Sequence, residues 1–225
     1  MSKEEYKLPS QVPVMTLRGV VLFPNAMLPL RIFEERYKKM LNERLADDRI
    51  FAIACERENV TEEERQLELP FDIASVGLIR VSKENPDGTS FVLLQGLQRV
   101  RISSIVQEVP YRIIEIEPVD TVIEPDSTDV RSKITKQLKR NKKFGGDVTD
   151  EMLDFLSPLD DDTTFVDLAA YTLCRATYRK QQILEEINLS KRAHMLIDDL
   201  TQENDRLKLI HDALGGKDDK NLDFN

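Results

Sequence analysis

The chain has 225 residues and a mass of 25.9 kDa, which is room for one large domain or two small ones. Its 41 acidic and 32 basic residues give a net charge of −9, which argues against a strongly basic nucleic-acid binder. No run of 18 apolar residues is present to cross a membrane as a helix, and the first ten residues carry Glu4 and Glu5 and no apolar signal core. Two cysteines, Cys55 and Cys174, show no motif spacing and read as reduced thiols, so a cytoplasmic location is expected.

A cut at residue 123 separates two compositions. Residues 1–123 hold 24 Val and Ile and 8 of the 10 prolines, whereas residues 124–225 hold 8 and 2. β-Branched residues favour strands and prolines punctuate them, so the first part is expected to be mostly β and the second helical. Residues 12–17 read as a strand, 20–23 as an apolar stretch ending at the turn Pro24-Asn25, and 28–33 as a second strand. Tyr37, Met40, Leu41 and Leu45 have helical spacing within 34–46. Residues 49–55 read as a buried strand, with an unbroken apolar run from Ile50 to Cys55. Residues 56–70 are polar and read as a solvated loop, in which Thr61 and Glu64 could cap one helical turn.

Residues 73–83 and 89–94 are expected to pair across the turn Asn85-Pro-Asp-Gly88, with a bend or bulge at Gly96. Residues 99–102 and 111–117 alternate charged and apolar side chains, as strands with one wet face do. About six strands with one inserted helix could close a small barrel. Beyond Glu124-Pro125, helices are expected at 130–143, 149–156, 165–175 and 178–187, followed by a long one over 189–214 with apolar steps of four and three. That last helix would run roughly 39 Å at about 1.5 Å per residue. The expected division is therefore 10–123, 124–214 and a flexible charged tail at 215–225.

Little chemistry is written in the sequence. Gly215-Gly-Lys-Asp218 lacks the spacing and hydroxyl of a phosphate-binding loop. His194, His211 and the two cysteines are too scattered for a zinc site. Ser82-Lys83 and Ser190-Lys191 are sequence neighbours, which do not generally face each other as a nucleophile and base must. No enzyme, cofactor or metal site is expected. Residues 131–143 hold seven basic side chains and no acid, whereas 147–167 hold eight acids and no base. They read either as a patch for an anionic partner or as two neighbouring helices of complementary charge. The lack of interleaved aromatics favours the second.

Two stretches carry a resemblance: Leu17-Arg-Gly-Val-Val-Leu-Phe-Pro24 with Leu28-Pro-Leu30, and Gly77-Leu-Ile-Arg-Val81 with Asp87-Gly-Thr89 and Leu94-Gln-Gly-Leu-Gln-Arg-Val-Arg-Ile102. In order and spacing, together with residues 165–200, they resemble the N-terminal substrate-binding domain of the ATP-dependent Lon proteases. The resemblance implies an α+β fold: a PUA-like, mostly antiparallel β-barrel with one inserted helix, then a helical bundle ending in a long helix. It also implies a non-catalytic module that recognises unfolded polypeptide or a protein partner, such as a protease, without the ATPase and Ser-Lys protease domains. The family often has an acid where Gln95 stands, so a neutral hydrogen bond is expected in place of an ion pair. The end at Asn225 favours a natural terminus, with a piece of a longer protease as the alternative. Candidate contacts are an apolar groove at Phe23, Met27 and Leu28 and the charged helix face of Glu35, Arg36 and Lys39. The alternative is an RNA-binding PUA-like protein that uses the basic helix 131–143. Self-association as a dimer through the last helix is weighed against a monomer in which that helix packs on its neighbours.

Overall fold

A computed structural model describes residues 8–58, 61, 67–124 and 129–213. The elements in chain order are β1 (Gln11–Leu17), β2 (Met27–Ile32), α1 (Glu35–Leu45), β3 (Ile50–Cys55), β4 (Ile73–Glu84), β5 (Ser90–Gln107), β6 (Ile113–Pro118), α2 (Val130–Lys143), α3 (Asp150–Leu156), α4 (Asp162–Leu173), α5 (Thr177–Glu185) and α6 (Leu189–Ala213). Glu64, the partner of Thr61 in the expected cap, and the tail at 215–225 lie outside the described residues.

One long strand organises the sheet. The first half of β5 pairs with β2, its second half with β6, and most of its length with β4, all antiparallel. β3 continues from β4, β1 joins β3 in parallel, and β1 meets β6, so five strands close on themselves and β2 stands as an added edge. The barrel interior is filled by small branched side chains, among them Val12, Val14, Ala52, Val76, Val100 and Ile114, all fully or almost fully buried. Larger side chains would not fit a barrel this narrow. The opposite faces of the same strands, with Phe51 and Ile53, join a second core with Phe23, Met40, Leu94 and the helices. Burial on both faces accounts for the unbroken apolar run of β3.

The sequence divides the return strand at Gly96, whereas the structure runs one strand of 18 residues through it. Gly96 is required by close approach. A Cβ there would lie 2.0 Å from the carbonyl oxygen of Phe23, and the backbones are tied by Asn25 N to Gly96 O at 2.8 Å and Gly96 N to Ala26 O at 2.9 Å. The irregularity falls next door, where Gly77 pairs with Gly96 and Val76 with Gln98, leaving Leu97 as the extra residue of a bulge.

Two N-caps fix the bundle: Thr149 accepts from Met152 N at 3.3 Å, and Asp161 from Thr164 N at 2.8 Å. Thr149 therefore caps α3 instead of beginning it. The buried stripe of α6 runs Leu189, Ala193, Leu196, Leu200 and Asn204, then stops; Leu209 and Ile210 are exposed. The apolar repeat of the sequence thus outlasts the packing. Asn204 closes it by donating to Gln137 of α2 at both O (3.0 Å) and Oε1 (2.9 Å).

Barrel and bundle share one continuous core and a buried ionic junction. Arg99 of β5 donates to both oxygens of Asp167 in α4, at 2.6 and 2.9 Å, and Arg192 of α6 donates to Asp167 Oδ1 at 2.6 Å. All three side chains are withdrawn from solvent. Arg99 Nε also reaches Leu184 O, and Gln181 donates to Ile73 O across the same seam.

Candidate functional site

The turn that Gly96 admits launches β2 along the sheet edge. Asn25, at φ 64, turns the chain, and its side chain donates to Thr164 Oγ1 at the start of α4. Tyr171 of α4 then donates to Met27 O at 3.1 Å. The strand is thus pinned to the bundle at its first residue.

From there the side chains alternate. Leu28 and Ile32 point into the core, whereas Met27, Pro29 and Arg31 point out. Register places Gln95, Leu93 and Phe91 of β5 opposite these three, and Val81 and Lys83 of β4 beside Leu93 and Phe91. The outcome is an exposed apolar face across three strands: Met27 (39% exposed), Pro29, Leu93, Phe91 (42%) and Val81, with Phe33 (63%) at the end of β2. Polar contacts frame it. Arg31 meets Asp87 at 2.8 Å, and Arg80 Nε donates to Gln95 Oε1 at 2.6 Å, the neutral bond expected where the family often has an acid. Contiguous apolar side chains on a protein surface mark a contact site more often than scattered ones do.

The six residues singled out from sequence fall into three groups. Phe23 and Leu28 are buried; Phe23 packs edge-on to Tyr171 with ring centroids 6.4 Å apart, and both belong to the core. They hold the face in place from beneath and do not form its surface. Arg36 is engaged within the protein: it donates to both oxygens of Glu68 at 2.8 and 2.9 Å, to Glu34 at 2.8 Å, and lies 4.5 Å over the Tyr37 ring. That guanidinium holds the Glu68 carboxyl below the usual carboxylate range. Met27, Glu35 and Lys39 are exposed, Glu35 being paired with Lys38 at 2.8 Å. Phe33, Val81 and Phe91 were missed. Their signal was strand alternation on two sides of one turn, which becomes a face only once the register is known.

The basic stretch of α2 is partly neutralised by its neighbours. Arg131 pairs with Asp162 at 2.8 Å, Arg140 with Asp205 at 2.6 Å, and Lys142 with Asp150. Lys136, Lys139 and Lys143 face solvent and form no ion pair among the described residues. Among those residues, no three His, Cys, Asp or Glu gather where they could share a metal ion, and no helix is long and apolar enough to cross a membrane.

Comparison with known proteins places these features in a family. The profile of the ATP-dependent protease La (LON) substrate-binding domain matches residues 11–202. The Lon protease of Trichlorobacter lovleyi is 25% identical over 217 residues, which is 95% of this chain and 26% of that protein. The Lon protease of Brevibacillus choshinensis is 26% identical over 205 residues, covering 88% of this chain and 26% of its own length. The chain thus spans about a quarter of these relatives. Among solved structures, the N-terminal domain of Mycobacterium avium complex Lon protease superposes with a TM-score of 0.65 at 17% identity, covering 85% of this chain and 98% of that one. A Lon N-terminal domain protein from Xanthomonas campestris gives 0.61 at 17% identity, with 84% and 98% coverage. At that identity the likeness is one of fold.

Proposed function

The chain belongs to the Lon substrate-binding domain family, and from that premise we propose that it is a non-catalytic module binding polypeptide segments through the outer face of β2, β5 and β4. The observation that carries this reading is the contiguous apolar face of Met27, Pro29, Phe33, Val81, Phe91 and Leu93, in a chain of which 32% is charged. Side chains of this kind gain by losing water to any apolar segment laid across them, and they ask for no particular sequence. The matching partner is an unfolded polypeptide, or a protein partner such as a protease that presents one. Glu35 and Lys39 lie on the helix that follows Phe33 and extend the same contact with charge. Two buried, unpaired thiols, Cys55 and Cys174, accord with a cytoplasmic setting.

The test is fluorescence anisotropy of a labelled, permanently unfolded polypeptide titrated with the full chain. Phe91→Lys and Phe33→Lys place a charge on the face without touching the core. Each is expected to weaken binding about tenfold, the cost of losing one well-placed aromatic anchor. Unchanged affinity in both variants would remove the face from the function.

The RNA reading has one observation in its favour, the three unpaired lysines of α2. It is weakened by the carboxylates that neutralise Arg131, Arg140 and Lys142. RNA affinity that is high at low salt and falls steeply as salt rises would support it.

A further inference from the structure

A groove of about 660 Å3 lies away from this face, between the end of β3, the second half of β5 and the start of α5. Its walls include Arg57, Phe71, Ile102, Ile105 and the exposed ring of Tyr178. One wall is a strand edge. β4 accompanies β5 only as far as the pair Ile73 and Arg101, and the last link on that side is Ile102 N to Asp72 O at 2.8 Å. Beyond it, β5 continues to Gln107 with β6 on its other side and no strand on the groove side among the described residues.

That edge lacks the chemical features that normally keep strand edges from pairing. Exposed edges are blunted by charge, proline or coverage. The edge of β2 follows this rule, with Pro29 and Arg31. Residues 102–107 read Ile-Ser-Ser-Ile-Val-Gln, with no charge, proline or glycine, and Ser103, Ser104, Ile105 and Val106 are exposed. Register slips opposite β6 leave Ser103 and Val106 out of that ladder. They bend the strand, so an incoming segment can pair only over a short span.

We propose that the edge of β5 at residues 103–107, which no strand covers among the described residues, accepts an extended polypeptide as an added strand, with alternate side chains lying in the groove against Phe71, Ile105 and Tyr178. This rests on the polypeptide-binding reading and names a second way in which a segment is held. Main-chain hydrogen bonds supply affinity without sequence preference, and the groove selects apolar side chains at alternate positions. The rim adds a charge preference. Glu58 has no ion-pair partner among the described residues, and Glu115 stands across from Ser104, which donates to it at 3.2 Å. Arg57, the groove arginine among the described residues, is already held by Asp72 at 2.8 Å. The segment that fits is therefore β-prone and flanked by Lys or Arg.

The experiment uses the full chain and a fluorescein-labelled peptide of alternating Val and Thr between terminal lysines. A second peptide is N-methylated at alternate backbone nitrogens, which removes the donors along one edge. The unmodified peptide is expected to bind, and N-methylation and Ile105→Lys are each expected to weaken it at least tenfold. Leu209→Lys, at an exposed position of α6, should change its affinity less than twofold. Should Ile105→Lys fail to fold, the N-methylated peptide still decides, because it leaves the protein unaltered. Equal binding of both peptides overturns the added strand while leaving the polypeptide-binding reading in place. Failure of both the peptide and an unfolded polypeptide to bind overturns both.

Discussion

Asp167 holds the two parts of the molecule together by accepting three hydrogen bonds from two buried guanidiniums. Burial pushes the Arg192 guanidinium down while Asp167 opposes it, and Arg192 Nε has no hydrogen-bond partner among the described residues. Two positive charges then depend on one carboxylate. Asp167→Ala is expected to cost about 3–5 kcal/mol, the penalty of leaving buried charge uncompensated, read as a lower denaturant midpoint. Glu68 is the surface counterpart. Its carboxyl is held low by hydrogen bonds from Arg36, so its contribution is present above the unfolded carboxylate value and is lost as pH falls through the folded one. The pair is over a third exposed, which limits the effect to about 0.5–1 kcal/mol. Glu68→Gln should therefore lower stability at pH 7, and the difference from the parent should shrink as pH falls below the usual carboxylate range. A constant difference across acid pH would contradict this. At this scale the sequence was partly readable. The neutral replacement at Gln95 was expected, and its partner is Arg80. The partner of Arg99, Asp167, was not legible, because nothing local links residues 68 positions apart.

Among the elements, β3, the hairpin across residues 85–88 and the last helix were legible because each carries its own periodicity or turn chemistry. The continuity of β5 was not. Glycine in a strand signals either a bend or a close neighbour, and only the position of Phe23 O, 2.0 Å from where a Cβ would stand, tells which. Gly96→Ala is accordingly expected to destabilise by at least about 1–3 kcal/mol, the cost of forcing atoms into filled space, and to loosen the turn that starts β2. Thermal unfolding and polypeptide affinity measured on the same variant would check both. An alanine tolerated without loss would remove this account of the strand. The binding face was half legible for a related reason. Met27 stood out beside Pro24, whereas Phe91 and Val81 join it only through a register that no single segment contains. Phe23 and Leu28, named with Met27 as candidates for an apolar groove, belong to the core beneath the face.

On the scale of the whole molecule, the composition change at residue 123 is real, yet the two parts share a core that contains both Phe23 and Leu196. The ionic junction and the bond from Gln181 to Ile73 cross the same seam. Unfolding followed by far-ultraviolet dichroism, which weights the helices, and by a probe in the barrel should therefore give coincident transitions. Separate midpoints would mean that barrel and bundle are stable apart. A rigid union has a functional consequence, because it fixes the apolar face and the groove on one frame, where one extended segment could meet either.

The central claim, that the face of β2, β5 and β4 takes polypeptide, is tested most directly by photo-crosslinking from the face itself. A photoreactive phenylalanine analogue at Phe33 or Phe91 should give adducts with an unfolded polypeptide, while the same group at Lys139 of α2 should give none. Equal labelling from all three positions, or labelling from position 139 alone, would contradict the account.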